Sequence, residues 1–179
     1  MITGKMVGLR AVETSDLELL KEWRNIPSFR RNFREVRELG TENQQRWYKM
    51  IYDNPMRDFM FSIVDLADGK MIGACGLLYI NWIIRSADFS FYIGRDHAYM
   101  DDQGYAEEAT KLLIEYGFNN LNLHKIWMEL YEFDTVKYDF FTKKFNFKQD
   151  ALLRDNCFED GKYWNSYIIS LIKTSTDSL

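Results

Sequence analysis

With 179 residues, 46% hydrophobic and 28% charged, the chain has the size and composition of a globular protein and not of a disordered or fibrous segment. A formal net charge of −4, from 27 acidic and 23 basic residues, gives no basic footprint for nucleic acid. Cys75 and Cys157 are the only cysteines and lack metal-ligand spacing, so neither a disulfide framework nor a metal site is expected.

The N-terminus has no basic stretch leading into a long apolar one, and no run approaches the roughly 18 apolar residues of a membrane span. A soluble, cytoplasmic protein without membrane contact is expected. In chain order, residues 6–11 predict a strand. Ser15 and Glu18 read as a capping box opening a helix with Leu19, Leu20 and Trp23 on its apolar face. Thr41 and Gln44 read as a second box, ahead of Trp47, Met50 and Ile51. Residues 59–64 and 71–80 predict strands joined by an Asp68-Gly69 turn, with Cys75 as a buried apolar side chain. Residues 89–93 predict another strand.

Ala106, Ala109, Leu112, Leu113, Tyr116 and Gly117 recur at the spacing of a long amphipathic helix. Residues 126–131 return to strand, 135–145 to helix, and 147–153 and 163–172 to closing strands about Asp160-Gly161. This order predicts an α/β fold with a mixed sheet and helices on both faces. No linker or repeat interrupts it, so residues 1–173 read as a single domain and 174–179 as a fraying polar tail.

Residues 87–109 (ADFSFYIGRDHAYMDDQGYAEEA) place a strand, a loop and a glycine ahead of the long helix. Free N–H groups at such a helix start can hold a phosphate, with Gly104 allowing close approach and Ala106 keeping the first turn clear. In these residues the chain resembles the GNAT superfamily of N-acetyltransferases, especially the branch of ribosomal-protein alanine and amino-sugar acetyltransferases. Leu9-Arg10, Asp16-Leu17 and Glu22-Trp23-Arg24-Asn25 look like that family's first strand and helix. Gly104-Tyr105-Ala106-Glu107-Glu108-Ala109 is similar to its G-Y-A-x-E-A pyrophosphate motif, and Leu123-His124-Lys125-Ile126 and Lys144-Phe145-Asn146-Phe147 to later motifs. The resemblance implies a mostly antiparallel sheet of about seven strands, splayed between the fourth and fifth. It also implies acetyl-CoA as co-substrate and transfer of acetyl to a primary amine.

It further implies a cofactor site of Tyr92, Ile93, Gln103, Gly104, Tyr105, Ala106 and Asp134, with backbone N–H groups near Tyr92 and Ile93 holding the pantetheine arm. Asp101 and Asp102 stand where Gln or Arg and then Gly are common, and Asp134 where Asn is frequent. Acetyl transfer needs an oriented amine, a base, a polarised carbonyl and a proton for the leaving thiolate. Asp88 matches a family carboxylate and is the first candidate base, with Glu129 the second. The family's proton donor is a Tyr in N-x-x-A-x-x-L-Y-E-K. Counting from Asp134 reaches Phe141, and counting back from Phe147 reaches Thr142, so the helix carries one extra residue. Tyr138, one turn upstream, or water would then supply the proton.

Trp23, Arg24, Asn25, Trp82 and Arg85 are candidate acceptor contacts, an aromatic to stack a sugar and an arginine to meet a phosphate. Residues 29–37 (FRRNFREVR) are expected to form a loop over the acceptor side. The acceptor reads as an amino sugar or other small amine. A peptide N-terminal amine, or a non-catalytic acyl-CoA sensor, are the alternatives, and homodimers are common in the family.

Overall fold

Alternating apolar residues draw eight strands into one sheet, described by a computed structural model over residues 1–174. The strands are β1 (Ile2–Thr3), β2 (Val7–Ala11), β3 (Phe59–Asp65), β4 (Met71–Asn81), β5 (Ser86–Ile93), β6 (Lys125–Tyr131), β7 (Lys148–Glu159) and β8 (Lys162–Ile172). Their order is β1-β2-β3-β4-β5-β6-β8-β7, antiparallel throughout except for β5 beside β6. The two-residue β1 raises the expected seven strands to eight. Beyond Thr174, the predicted tail lies outside the described residues.

The helices are α1 (Leu17–Asn25), α2 (Pro27–Arg30), α3 (Thr41–Asp53), α4 (Tyr105–Glu115) and α5 (Thr135–Asp139). Leu20, Trp23 and Phe29 pack with Ala74 and Tyr92 on one face of the sheet. Ala106, Ala109, Leu113, Ile114 and Phe141 pack with Phe89, Phe91 and Ile93 on the other. The period of two in β5 thus divides its side chains between two cores.

The capping boxes are displaced from their expected positions. Asp16, not Ser15, precedes α1, and its carboxylate accepts from the Glu13 N–H at 2.9 Å. Gly40 precedes α3, with the Gly40 N–H donating to Asn43 Oδ1 at 2.9 Å, while Gln44 is buried. The family-like pair Arg10 and Asp16 proves structural: two hydrogen bonds of 2.7 and 2.8 Å join them, and Ser62 donates to the same carboxylate at 2.7 Å. Glu108 likewise ties α4 to the first strands, accepting from the N–H groups of Lys5, Met6 and Val7 at 2.7–2.8 Å.

The extra residue of the last helix is absorbed by a π-turn over Phe140–Lys144, which continues α5 with one residue more per turn. A second π-turn, Tyr116–Asn120, continues α4. At the β7–β8 hairpin, Asp160 and Gly161 both take positive φ, 52° and 78°, the geometry that Asp-Gly favours.

Candidate active site

β5 and β6 keep parallel register only from Ser86 with Lys125 to Asp88 with Trp127. Beyond that point they diverge, and the opening between them is the expected splay. The Gly94 N–H donates to Ile72 O at 2.8 Å, so the alternation of an antiparallel pair turns the Tyr92 N–H towards β4. The Phe91 carbonyl and Ile93 N–H face the opening instead. Phe91 O accepts from Lys137 Nζ at 2.6 Å, and the Ile93 N–H donates to Tyr99 O at 3.0 Å. The expected donor Tyr92 is therefore turned away, its ring buried edge-on against Trp23, Phe29 and Phe33.

A cavity of about 820 Å³ lies between the start of α4 and the π-turn after α5. Ile93, Gln103, Gly104 and Tyr105 line it, together with Asp101, Lys143 and Lys144. Gly104 has φ 101°, a conformation that glycine adopts without strain. The N–H groups of Gln103, Gly104 and Tyr105 converge on Asp101 Oδ2 at 2.8, 2.8 and 3.0 Å, and that of Ala106 on Oδ1. The cradle expected to hold a pyrophosphate thus exists and holds an anion supplied by the chain itself. Lys143 pairs with Asp139 at 2.8 Å, and Lys144 with Glu107. Shape, backbone donors and cations fit a CoA pyrophosphate, provided that Asp101 gives way.

A second cavity, about 270 Å³, opens on the α1–α3 face of the splay. Arg24, Phe33, Arg34, Asp88, Glu129 and Lys137 are among its walls, and the loop residues 32–35 lie over it. Arg34 Nη1 donates to Asp88 at 2.6 Å and Arg34 Nε to Glu129 at 3.3 Å, so one guanidinium bridges both candidate bases. Burial raises the Asp88 carboxyl above the usual carboxylate range, against the lowering influence of Arg34. Glu129 also accepts from Asn156 at 2.7 Å and Ser166 at 2.8 Å. Beside this space lies a third cavity of about 320 Å³, lined by Arg24, Arg37 and Arg46 together with Trp47 and Glu35.

Several expected site residues fall elsewhere. Trp23 is core: a Cβ added at Gly94 would meet its ring at 2.0 Å. Asn25 clamps the loop backbone, donating to Leu39 O at 2.9 Å and accepting from the Leu39 N–H at 2.7 Å. Trp82 donates to Met56 O at 2.6 Å and Arg85 reaches Asn122 at 3.4 Å, both in the β4–β5 turn and outside the three cavities. The Tyr138 hydroxyl donates to Gln149 at 3.0 Å, away from the splay. Asp134 caps α5 and accepts from Tyr99 OH at 2.7 Å, so it serves the loop and not the first cavity's wall.

Arg24 does reach the cleft, stacked 3.9 Å over the Phe33 ring. Tyr99 and Lys137 were missed by sequence reasoning, and Arg34 was anticipated only as part of the 29–37 loop over the acceptor side. Lys137 had one visible signal: it stands where N-x-x-A, counted from Asp134, has its Ala. A buried lysine in place of a small residue breaks the helical apolar pattern, but nothing in the sequence says what it faces.

The sequence pattern of the acetyltransferase (GNAT) domain family matches residues 7–135. Spermidine N(1)-acetyltransferase of Vibrio cholerae serotype O1 is 32% identical over 158 residues, covering 87% of this chain and 86% of that protein. The Escherichia coli K12 spermidine N(1)-acetyltransferase is 29% identical over 167 residues, covering 93% and 86%. Among solved structures, a spermidine N-acetyltransferase from Vibrio cholerae in complex with CoA and spermine superposes with a TM-score of 0.83 at 24% identity, covering 94% of this chain and 96% of that one. A dodecameric structure of spermidine N-acetyltransferase from Vibrio cholerae gives 0.77 at 26%, covering 94% and 95%. Fold, motif order and these matches agree: the chain belongs to the GNAT acetyltransferases and is an acetyl-CoA-dependent N-acetyltransferase.

Proposed function

We propose that the acceptor is a polyamine of the spermidine class, bound with one amine at the splay. The observation that carries this reading is Arg34. A cation placed between Asp88 and Glu129 is held by both carboxylates, and a protonated polyamine offers the same charge to the same pair. The two relatives named for spermidine acetylation support it independently.

Asp88, nearer neutrality than an exposed carboxylate, takes the proton that the amine sheds as it attacks the thioester carbonyl. Glu129, fixed by Asn156 and Ser166, orients the chain of the acceptor. The assembled form of one relative supports self-association here too, and the test includes its measurement.

The arginines of the third cavity favour a second reading. The Nε of Arg24 is buried without a hydrogen-bond partner, and Arg37 and Arg46 lie on the same cavity. An amine that also carries an anionic group, such as a nucleotide-linked amino sugar, would suit these three cations.

The deciding experiment measures CoA thiol release with spermidine, spermine, a nucleotide-linked amino sugar and a peptide with a free N-terminal alanine, alongside sedimentation of the apo and liganded protein. Saturable turnover of the polyamines, with poor turnover of the other two, is the expected result. Preference for the sugar nucleotide would move the acceptor to the arginine cavity. CoA binding without turnover of any amine would make the chain a sensor.

A further inference from the structure

The first and second cavities lie on opposite sides of α5 and its π-turn. Val136, Asp139 and Phe140 face the donor side, while Lys137 and Phe141 face the acceptor side. Phe141, at the family's Tyr position when counted from Asp134, is fully buried and has no proton to give. Lys137 lies one turn earlier on the same face. Its ammonium is 2.6 Å from Phe91 O, on the β5 edge that the splay exposes, and 2.9 Å from Tyr99 OH. The Tyr99 hydroxyl is in turn 2.7 Å from Asp134 Oδ2, giving a chain Asp134–Tyr99–Lys137 that ends at the opening.

Along β5, Phe91 lines the acceptor cavity and Ile93, two residues on, lines the donor cavity, so a thioester and an amine approaching from the two sides are brought closest along this edge. We infer that Lys137 is the proton donor to the departing thiolate, replacing the family's tyrosine. The acceptor nitrogen forms its bond to the acetyl carbon and the carbon–sulfur bond breaks. The sulfur takes a proton from the Lys137 ammonium, the surplus proton on nitrogen goes to Asp88, and solvent re-equilibrates both groups. Products are the N-acetyl amine and CoA thiol, with no further reactant needed. The inference rests on acetyl transfer at this site and not on the identity of the acceptor.

The charge state suits the role. Burial brings Lys137 down to about 8, Asp134 opposing this and Arg24 adding to it. The other groups around it are Tyr99, whose own ionisation burial suppresses, and Arg34, Glu35, Asp88 and Glu129 across the cavity. An ordinary lysine holds its proton too tightly to match a thiolate, whereas one near 8 transfers it with little mismatch. The structural alternative is a lysine that only fastens the loop at Tyr99, where the non-glycine residues Asp96, His97 and Tyr99 all take positive φ.

Lys137→Met and Lys137→Arg separate the two roles, measured with whichever primary amine the wild type turns over. A proton donor predicts a roughly 100-fold fall in kcat in both variants with KM for acetyl-CoA unchanged. It also predicts a wild-type kcat that declines above about pH 8, a limb that both variants lose. An aryl thioester, whose thiolate leaves without protonation, should restore Lys137→Met towards the wild-type rate. Thermal unfolding and acetyl-CoA calorimetry check that each variant is folded and binds. Recovery of kcat in Lys137→Arg, or a retained alkaline limb in Lys137→Met, would overturn the inference and leave Lys137 as a loop fastener. Absence of spermidine turnover alongside turnover of another amine would refute only the polyamine reading.

Discussion

Asp101 Oδ2 lies 2.8 Å from the Gly104 N–H, so the helix that should receive the donor's pyrophosphate begins on a carboxylate of its own chain. Two further N–H groups share that oxygen and a fourth binds its partner, which makes Asp101 an internal competitor for an anion. Asp101→Asn should therefore change binding and stability in opposite directions. Acetyl-CoA affinity by calorimetry should rise, because a neutral amide yields the cradle more readily. The apo protein should lose about 1 kcal/mol with its charged cap. A fall in affinity would show that Asp101 assists the donor instead of competing with it.

Acetyl-CoA at about 100 times its Kd should add roughly 2.7 kcal/mol to the native state. At about 2–4 °C per kcal/mol for a chain of this size, the unfolding midpoint should rise by roughly 5–11 °C. No rise at saturating donor would mean that Asp101 does not give way.

The acid limb of kcat/KM should report Asp88. Burial raises its pKa, so activity should be lost, as pH falls, earlier than for an ordinary carboxylate. Arg34 holds that value down, so Arg34→Ala should move the limb further up. It should also lower the KM for spermidine by vacating the Asp88–Glu129 pair. Asp88→Asn should cut kcat by about 100-fold and abolish the limb. An unchanged limb in Asp88→Asn would transfer the base role to Glu129.

Gly94 shows how closely the acceptor face is packed beneath β5. A Cβ there would lie 2.0 Å from the ring of Trp23, which is buried and packed edge-on against Tyr92. Gly94→Ala should cost about 1–3 kcal/mol, read as a lower unfolding midpoint with donor affinity little changed. A neutral result would mean that Trp23 is looser than its burial implies.

Local features were legible in the sequence where a short stretch carries its own physics. Asp-Gly at two hairpins, the helical spacing after Gly104 and the alternation along β5 each depend on neighbours a few residues away. The one-residue excess between Asp134 and Phe147 was also countable, and the π-turn is its structural form. The capping boxes slipped by one or two residues, to Glu13–Asp16 and Gly40–Asn43, because the side chains of Asp16 and Asn43 reach back to a backbone N–H as readily as those of Glu18 and Gln44.

The sequence by itself determined the strand and helix order through periodicity, and the family through the resemblance of a contiguous motif at the start of the long helix. Only the tertiary structure decided what occupies the site. Arg34 meets Asp88 across 54 residues, and Lys137 meets Phe91 across 46. Trp23, Trp82, Arg85 and Tyr138 have the right chemistry for a site, yet the fold sends each to another partner. A side chain's role depends on which groups the sheet brings beside it, and separation along the chain carries no record of that.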